Sequence, residues 1–246
     1  MLLALVLAAA AVLPARADEL VVFAAASLTD ALQEIGADYE RTTGQPVVFN
    51  FGASNLLARQ IREGAPADLF LSADEAKMDE LEKRGLLLEG TRRSALSNTL
   101  AVVVPKGSTL HLRAAADLAS PAVRTLVIAE PSAVPAGIYA RQWLRSLGLW
   151  SKLIDRTVPT ENVRGALAAV EAGNADAGIV YRTDAGISQN VEVALEVPAA
   201  EGPRISYPFA VLRRTGAPEA ARGFLAYLVS PPALDVFRKL GFLIQP

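Results

Sequence analysis

Two serines carry the first chemical hint in this chain. LVVFAAA runs into Ser27-Leu-Thr-Asp-Ala-Leu, and VVFNFGA runs into Ser54-Asn-Leu-Leu-Ala-Arg-Gln-Ile, so an apolar strand pattern passes twice into a serine that opens a helical pattern. A helix start carries unpaired backbone N–H groups and the positive end of the helix dipole. Two such starts at the carboxyl edge of one sheet make a candidate oxyanion site. Neither segment places a Lys or Arg before its first turn ends. The implied donors are neutral, which favours a small, fully ionised anion held by many directed hydrogen bonds. Each serine also has a plainer reading. Ser27-x-x-Asp30 fits a capping box, and Ser54 suits an ordinary N-cap.

The second half of the chain supplies matching parts. Val134-Pro135-Ala136-Gly137 precedes the helical run IYARQWLRSLG, and a proline at a helix entrance leaves the following amides, that of Ala136 included, free to point outward. Thr160-Glu161-Asn162-Val163 opens another helix and offers the Val163 amide. ADAGIVY ends a buried strand at Tyr181, whose phenol would emerge at the strand's carboxyl end. The alternatives are a turn residue at Ala136, a core residue at Val163 and a packed rim aromatic at Tyr181. Arg164 and Arg182 adjoin two of these positions, and a surface ion pair is the simpler role for each.

Other chemistries find little support. Cys is absent, which removes disulfides, thiolate metal sites and cysteine nucleophiles. The single His, His111, lies in GSTLHLRAA and reads as an exposed turn residue, so zinc sites and Ser-His-Asp machinery lack their imidazoles. GASNL around Ser54 lacks the second glycine of a nucleophile elbow, and no phosphate loop or dinucleotide fingerprint occurs. The formal charge of −2 includes Arg16, and no basic stripe interleaves with aromatics, so nucleic acid is not an expected partner. An enzyme acting on small anions would need a general acid or base beside the serines.

These residues need a frame. Uniformly apolar runs at 20–26, 47–51, 68–72, 100–104, 125–129, 177–181 and 205–212 read as strands covered on both faces. Helical patterns span 28–41, 56–63, 75–84, 138–147, 163–172, 218–228 and 234–240, with Gly44, Gly64, Gly85, Gly148, Gly173 and Gly241 where helices should stop. The class is α/β with parallel or mixed sheets. The polar stretch at 92–99 and the loop-like run at 198–203 suggest two crossings between lobes: 18–98 plus 202–246 form the first lobe, and 99–201 the second. Two crossings make a hinge over a cleft. The first 17 residues, MLLALVLAAAAVLPARA, read as a signal peptide ending in Ala15-Arg16-Ala17, although no basic residue precedes the apolar run. An uncleaved anchor is the alternative, and the run is short for one.

Taken in order, AAASL, FGASNLLARQI, ADLFLSAD, VPAGIYA, NVRGAL and GIVYRTDA resemble the periplasmic molybdate-binding proteins of ABC transporters, and the similarity continues through YPFAVL and the terminal GF. The resemblance implies a two-lobed periplasmic-binding-protein fold, type II-like, with the ligand cleft between the lobes. It implies that Ser27 and Ser54 of the first lobe, Ala136 and Val163 of the second, and Tyr181 bind molybdate or tungstate. No cofactor or metal-cation site is implied. The expected partner is an ABC transporter permease in the inner membrane, and the expected form is a periplasmic monomer. Two rivals are a binding protein for another tetrahedral oxyanion such as sulfate, and the effector-sensing domain of a transcription regulator. The latter would need a DNA-binding helix pair where this chain has its apolar leader.

Overall fold

A computed structural model describes residues 19–245. The chain opens with β1 (Leu20–Ala25), α1 (Thr29–Thr43), β2 (Val47–Gly52), α2 (Ser54–Arg62), β3 (Leu69–Leu71), α3 (Glu75–Lys83) and β4 (Arg93–Ser97). Then follow β5 (Leu100–Pro105), β6 (Leu126–Ala129), α4 (Pro135–Ser146), α5 (Trp150–Leu153), β7 (Thr157–Thr160), α6 (Val163–Glu171), β8 (Ala177–Tyr181), α7 (Arg182–Ile187) and β9 (Val191–Glu196). It closes with β10 (Tyr207–Val211), α8 (Pro218–Leu228), α9 (Pro231–Lys239) and β11 (Leu243–Ile244).

Two sheets result. The first is ordered β11-β4-β10-β3-β1-β2 and the second β7-β6-β8-β5-β9, so β5 through β9 build one sheet and the flanking segments the other. In the first, β1 runs parallel to β2 and β3, while β10 runs antiparallel to β3 and β4. In the second, β6 runs parallel to β7 and β8, and β5 is antiparallel to β8 and β9. The central strands are buried on both faces, as their unbroken apolar runs predict: every residue of β3, β6, β8 and β10 is buried. Phe70 and Phe209 are fully buried in this core, each stabilising the fold by about 1.5–3 kcal/mol relative to exposure.

Helix α1 shows how the helical pattern works. Ala31, Leu32, Ile35 and Tyr39 line its buried stripe. It ends at Gly44, whose φ of 72° and N–H to the Glu40 carbonyl (2.8 Å) close the last turn. The other five glycines expected to stop helices also have positive φ.

Strands β4, β7, β9 and β11 and helices α5 and α7 were not expected from sequence. The first three alternate or are half exposed, with Pro159 inside β7, and so lack an unbroken apolar run. The stretch at 92–99, read as a polar connection, contains β4. The signal-peptide segment lies outside the described residues. Among the described residues no helix is long and apolar enough to cross a membrane.

Candidate functional site

Ser27, Ser54, Ala136, Val163 and Tyr181 all line one small cavity between the two sheets. The wall on the side of the first sheet consists of residues that directly follow its parallel strands, among them Ala26 and Ser27 after β1 and Ala53 and Ser54 after β2. The opposite wall holds Val134, Pro135 and Ala136 at the start of α4, Asn162 and Val163 at the start of α6, and Tyr181 at the end of β8. This is the carboxyl-edge position where open α/β sheets hold ligands.

The cavity is small. Its empty space amounts to about 220 Å³, part of it open to solvent. None of the lining residues is charged.

Neither serine caps its own helix. Ser27 sits in a short 3-10 turn, Ala26–Leu28, while the N-cap of α1 is Leu28 and makes no side-chain cap bond. Its Oγ lies 3.2 Å from the Tyr207 hydroxyl instead. Asp30, the other half of the expected capping box, pairs with Arg164. Ser54 is the first residue of α2 behind an Ala53 N-cap, and its Oγ accepts a hydrogen bond from the Ala73 N–H (3.0 Å). Both serines are buried, so each hydroxyl is held by the fold beside the cavity and is not consumed by the helix it precedes.

The opposite wall is built from helix starts. No side chain caps α4, and Pro135 occupies its first turn. Ala136 and Gly137 are buried there, and a buried, uncapped N-terminus leaves donors that need a partner. At α6 the Asn162 side chain accepts from the Gly165 N–H (3.1 Å), which fixes the helix entrance and leaves the earlier amides of the turn. Gly137 is essential to this geometry. A Cβ there would stand 2.0 Å from the Ala129 carbonyl oxygen and 2.6 Å from that of Glu130, so α4 starts pressed against the end of β6.

Tyr181 completes the wall. It is 1% exposed, and its hydroxyl oxygen is buried with no hydrogen-bond partner. Burial, reinforced by the neighbouring Tyr207, pushes its phenol well above the usual tyrosine range. It is therefore a protonated donor with nothing of the protein to donate to.

Charges surround the cavity without entering it. Arg164 Nε donates to Asp184 Oδ1 (2.6 Å), and its Nη2 pairs with Asp30 on α1, so one guanidinium ties the two walls together. Asp184 is fully buried, and burial raises its carboxyl to about 6 although Arg164 pulls the other way. The Arg164 side chain is 24% exposed, so the expected surface pair is here a partly buried bridge across the cleft. Arg182 pairs with Glu196 (2.7 Å) on the exterior, and His111 lies in an exposed loop.

Asn98, Gly137 and Tyr207 were missed from sequence. Asn98 lies between β4 and β5, and Tyr207 begins β10 where the chain has returned to the first sheet. Their approach to the site depends on contacts across 109 and 180 positions, which local spacing does not announce. The only available signal for Gly137 was a glycine just inside a proline-started helix.

Comparison with known proteins agrees with this architecture. The chain is 41% identical over 238 residues to the molybdate-binding protein ModA of Escherichia coli (strain K12), covering 94% of this chain and 92% of that one. Among solved structures, the periplasmic molybdate-binding protein of Azotobacter vinelandii superposes with a TM-score of 0.84 at 27% identity, over 92% of this chain and all of the other. The sulfate-binding protein SubI of Mycobacterium tuberculosis H37Rv shares the fold, with a TM-score of 0.79 at 19% identity over 91% of this chain and 86% of that one. A cleft between two α/β lobes, walled by neutral donors, is thus the setting in which the model of the bacterial extracellular solute-binding protein family matches residues 20–243, and the chain belongs to that family.

Proposed function

We propose that this chain binds molybdate in the periplasm and delivers it to the permease of an ABC transporter. In this reading Ser27, Ser54 and Tyr181 donate through their hydroxyls, and Ala136 and Val163 through their backbone amides. The observation that carries it is the buried, unpartnered Tyr181 hydroxyl at a cavity of neutral donors. Support for the particular solute comes from the curated relatives named for molybdate. The sulfate-binding neighbour shares the fold alone.

The chemistry follows from the donor set. Molybdate is a fully deprotonated tetrahedral dianion near neutral pH, so its oxygens only accept hydrogen bonds, and a cavity of donors satisfies all of them. Phosphate keeps a proton and calls for a carboxylate acceptor, which is absent among these residues. Sulfate carries no proton but is smaller, and a rigid ring of donors built for a larger anion holds it poorly. Tungstate matches molybdate in charge and size and is bound as well. Hydrogen bonds to an ionised group are worth ~1.5–3 kcal/mol each, so several in a dry cleft give tight binding after the dianion's desolvation.

Residues 1–17 act as the export signal, and the mature chain works as a monomer without a cofactor. Residues 18–98 with 202–246 form one lobe and 99–201 the other, and closure of the lobes buries the anion and creates the face that the permease recognises. Calorimetric titration of residues 18–246 with molybdate, tungstate, sulfate and phosphate tests the reading. Submicromolar one-to-one binding of molybdate and tungstate with negligible heat from the other two is expected. A folded, ligand-free protein that gives no molybdate heat would overturn it.

A further inference from the structure

Tyr207 touches Ser27 without lining the cavity, and Asn98 touches Tyr207 in turn. We infer that Asn98 and Tyr207 are positioning residues that fix the direction of the Ser27 hydroxyl, making it a donor toward the cavity and so favouring anions that carry no proton. This rests on the reading of the cavity as an oxyanion site.

The direction follows from counting hydrogens. The Thr99 N–H, which can only donate, is bonded to Asn98 Oδ1 at 2.9 Å, so the amide nitrogen faces the other way. Asn98 Nδ2 then donates to Thr183 Oγ1 (2.9 Å) and to Tyr207 Oη (3.2 Å), which uses both of its hydrogens. Tyr207 Oη is therefore an acceptor from Asn98, and its own hydrogen goes to Ser27 Oγ, 3.2 Å away. Were Ser27 to donate instead, the phenol hydrogen of a fully buried tyrosine would lose this acceptor. Burial keeps that phenol protonated, holding it far above its usual range. Because its oxygen accepts from Tyr207, Ser27 keeps its single hydrogen for the cavity. Ser54 reaches the same state by a shorter route, its oxygen accepting from the Ala73 N–H.

The relay is anchored where the sheets join. Asn98 lies on the crossing from β4 to β5, Thr183 on α7 beside the second sheet, and Tyr207 on β10 of the first. The amide that orients Ser27 is thus held from both sides of the cleft.

A double-mutant cycle tests this. The intact protein, Tyr207→Phe, Ser27→Ala and the double variant are titrated with molybdate and with inorganic phosphate, and thermal melting checks that each is folded. Tyr207→Phe is expected to lower molybdate affinity about three- to tenfold, the size of one lost orientation. It should narrow the molybdate-over-phosphate preference, because the Ser27 hydroxyl, no longer held as Tyr207's acceptor, can turn its hydrogen away and accept one from a protonated phosphate oxygen. In the Ser27→Ala background the same change should matter less than about twofold. Asn98→Asp puts an acceptor where Tyr207 needs a donor, turns the relay around and should weaken molybdate as far as Ser27→Ala does. Full additivity of the two single effects, or an unchanged anion preference in Tyr207→Phe, would overturn the inference while leaving the oxyanion reading intact. Failure of the unaltered protein to bind molybdate would overturn both.

Discussion

The two walls of the cleft offer the same chemistry by different means. On the first-sheet side the polar hydrogens belong to serine hydroxyls, each held by a bond from elsewhere in the fold: Tyr207 for Ser27 and the Ala73 amide for Ser54. On the opposite side they belong to the backbone at the starts of α4 and α6, joined by the Tyr181 hydroxyl. A side-chain donor can be deleted by one substitution. A backbone donor survives every substitution but one to proline; otherwise it can only be moved, as a Cβ on Gly137 would move the start of α4 against the Ala129 carbonyl. The first wall should therefore be sensitive to what its residues are, and the second to where its helices begin.

Placing charge on the first wall gives the largest effect. Ser54 is 1% exposed at the cavity, so Ser54→Asp sets a carboxylate against the dianion in a dry site, and molybdate affinity is expected to fall by more than about a hundredfold. Calorimetry decides it, and retained binding would remove Ser54 from the site. Deleting single donors comes next. Ser27→Ala and Tyr181→Phe should each cost about one to two powers of ten in affinity, as one charge-assisted hydrogen bond implies. Unchanged affinity in both would remove the Ser27 and Tyr181 side chains from the site.

How the site was legible follows from the same contrast. Ser27, Ser54 and Tyr181 stand where an apolar run gives way to a helix or ends, and Ala136 and Val163 at helix entrances; local pattern marked them as candidates, the family resemblance joined them into one set, and all five line the cavity. Local pattern could not choose between a capping serine and a free one, because that depends on Tyr207 and Ala73. Asn98 and Tyr207 looked like loop and strand residues, since their partners lie far along the chain. The fold divides similarly. Strands buried on both faces announce themselves as apolar runs, whereas β4, β7 and β9 keep polar or exposed positions and are completed by pairing with neighbours.

The bridge between the walls has its own pH dependence. Asp184 titrates at about 6 in the folded protein because burial outweighs Arg164. A carboxyl raised on folding contributes stability that is full below its unfolded value, near 3.8, and is lost as pH rises through about 6. Asp184→Asn removes that contribution. The stability of the unaltered protein relative to this variant should therefore fall between pH 4 and 6, by on the order of 2 kcal/mol. Urea unfolding of both proteins across that range measures it, and a difference that stays flat would mean Asp184 is ionised throughout.

The smallest expected effect bears most directly on the contrast between the walls. Val163 is buried at the first turn of α6, and the reading assigns its amide, not its isopropyl group, to the anion. Val163→Ala keeps the amide and keeps Asn162 capping the Gly165 N–H, so the helix start stays where it is. Some packing is lost, and stability should drop by about 1–3 kcal/mol, between the costs of Ile→Val and Leu→Ala truncations of buried side chains. Molybdate affinity should change by less than about twofold, because the donor and its position are both retained. A loss approaching that of Ser27→Ala would show that the second wall also works through its side chains, and the distinction between the two walls would fall.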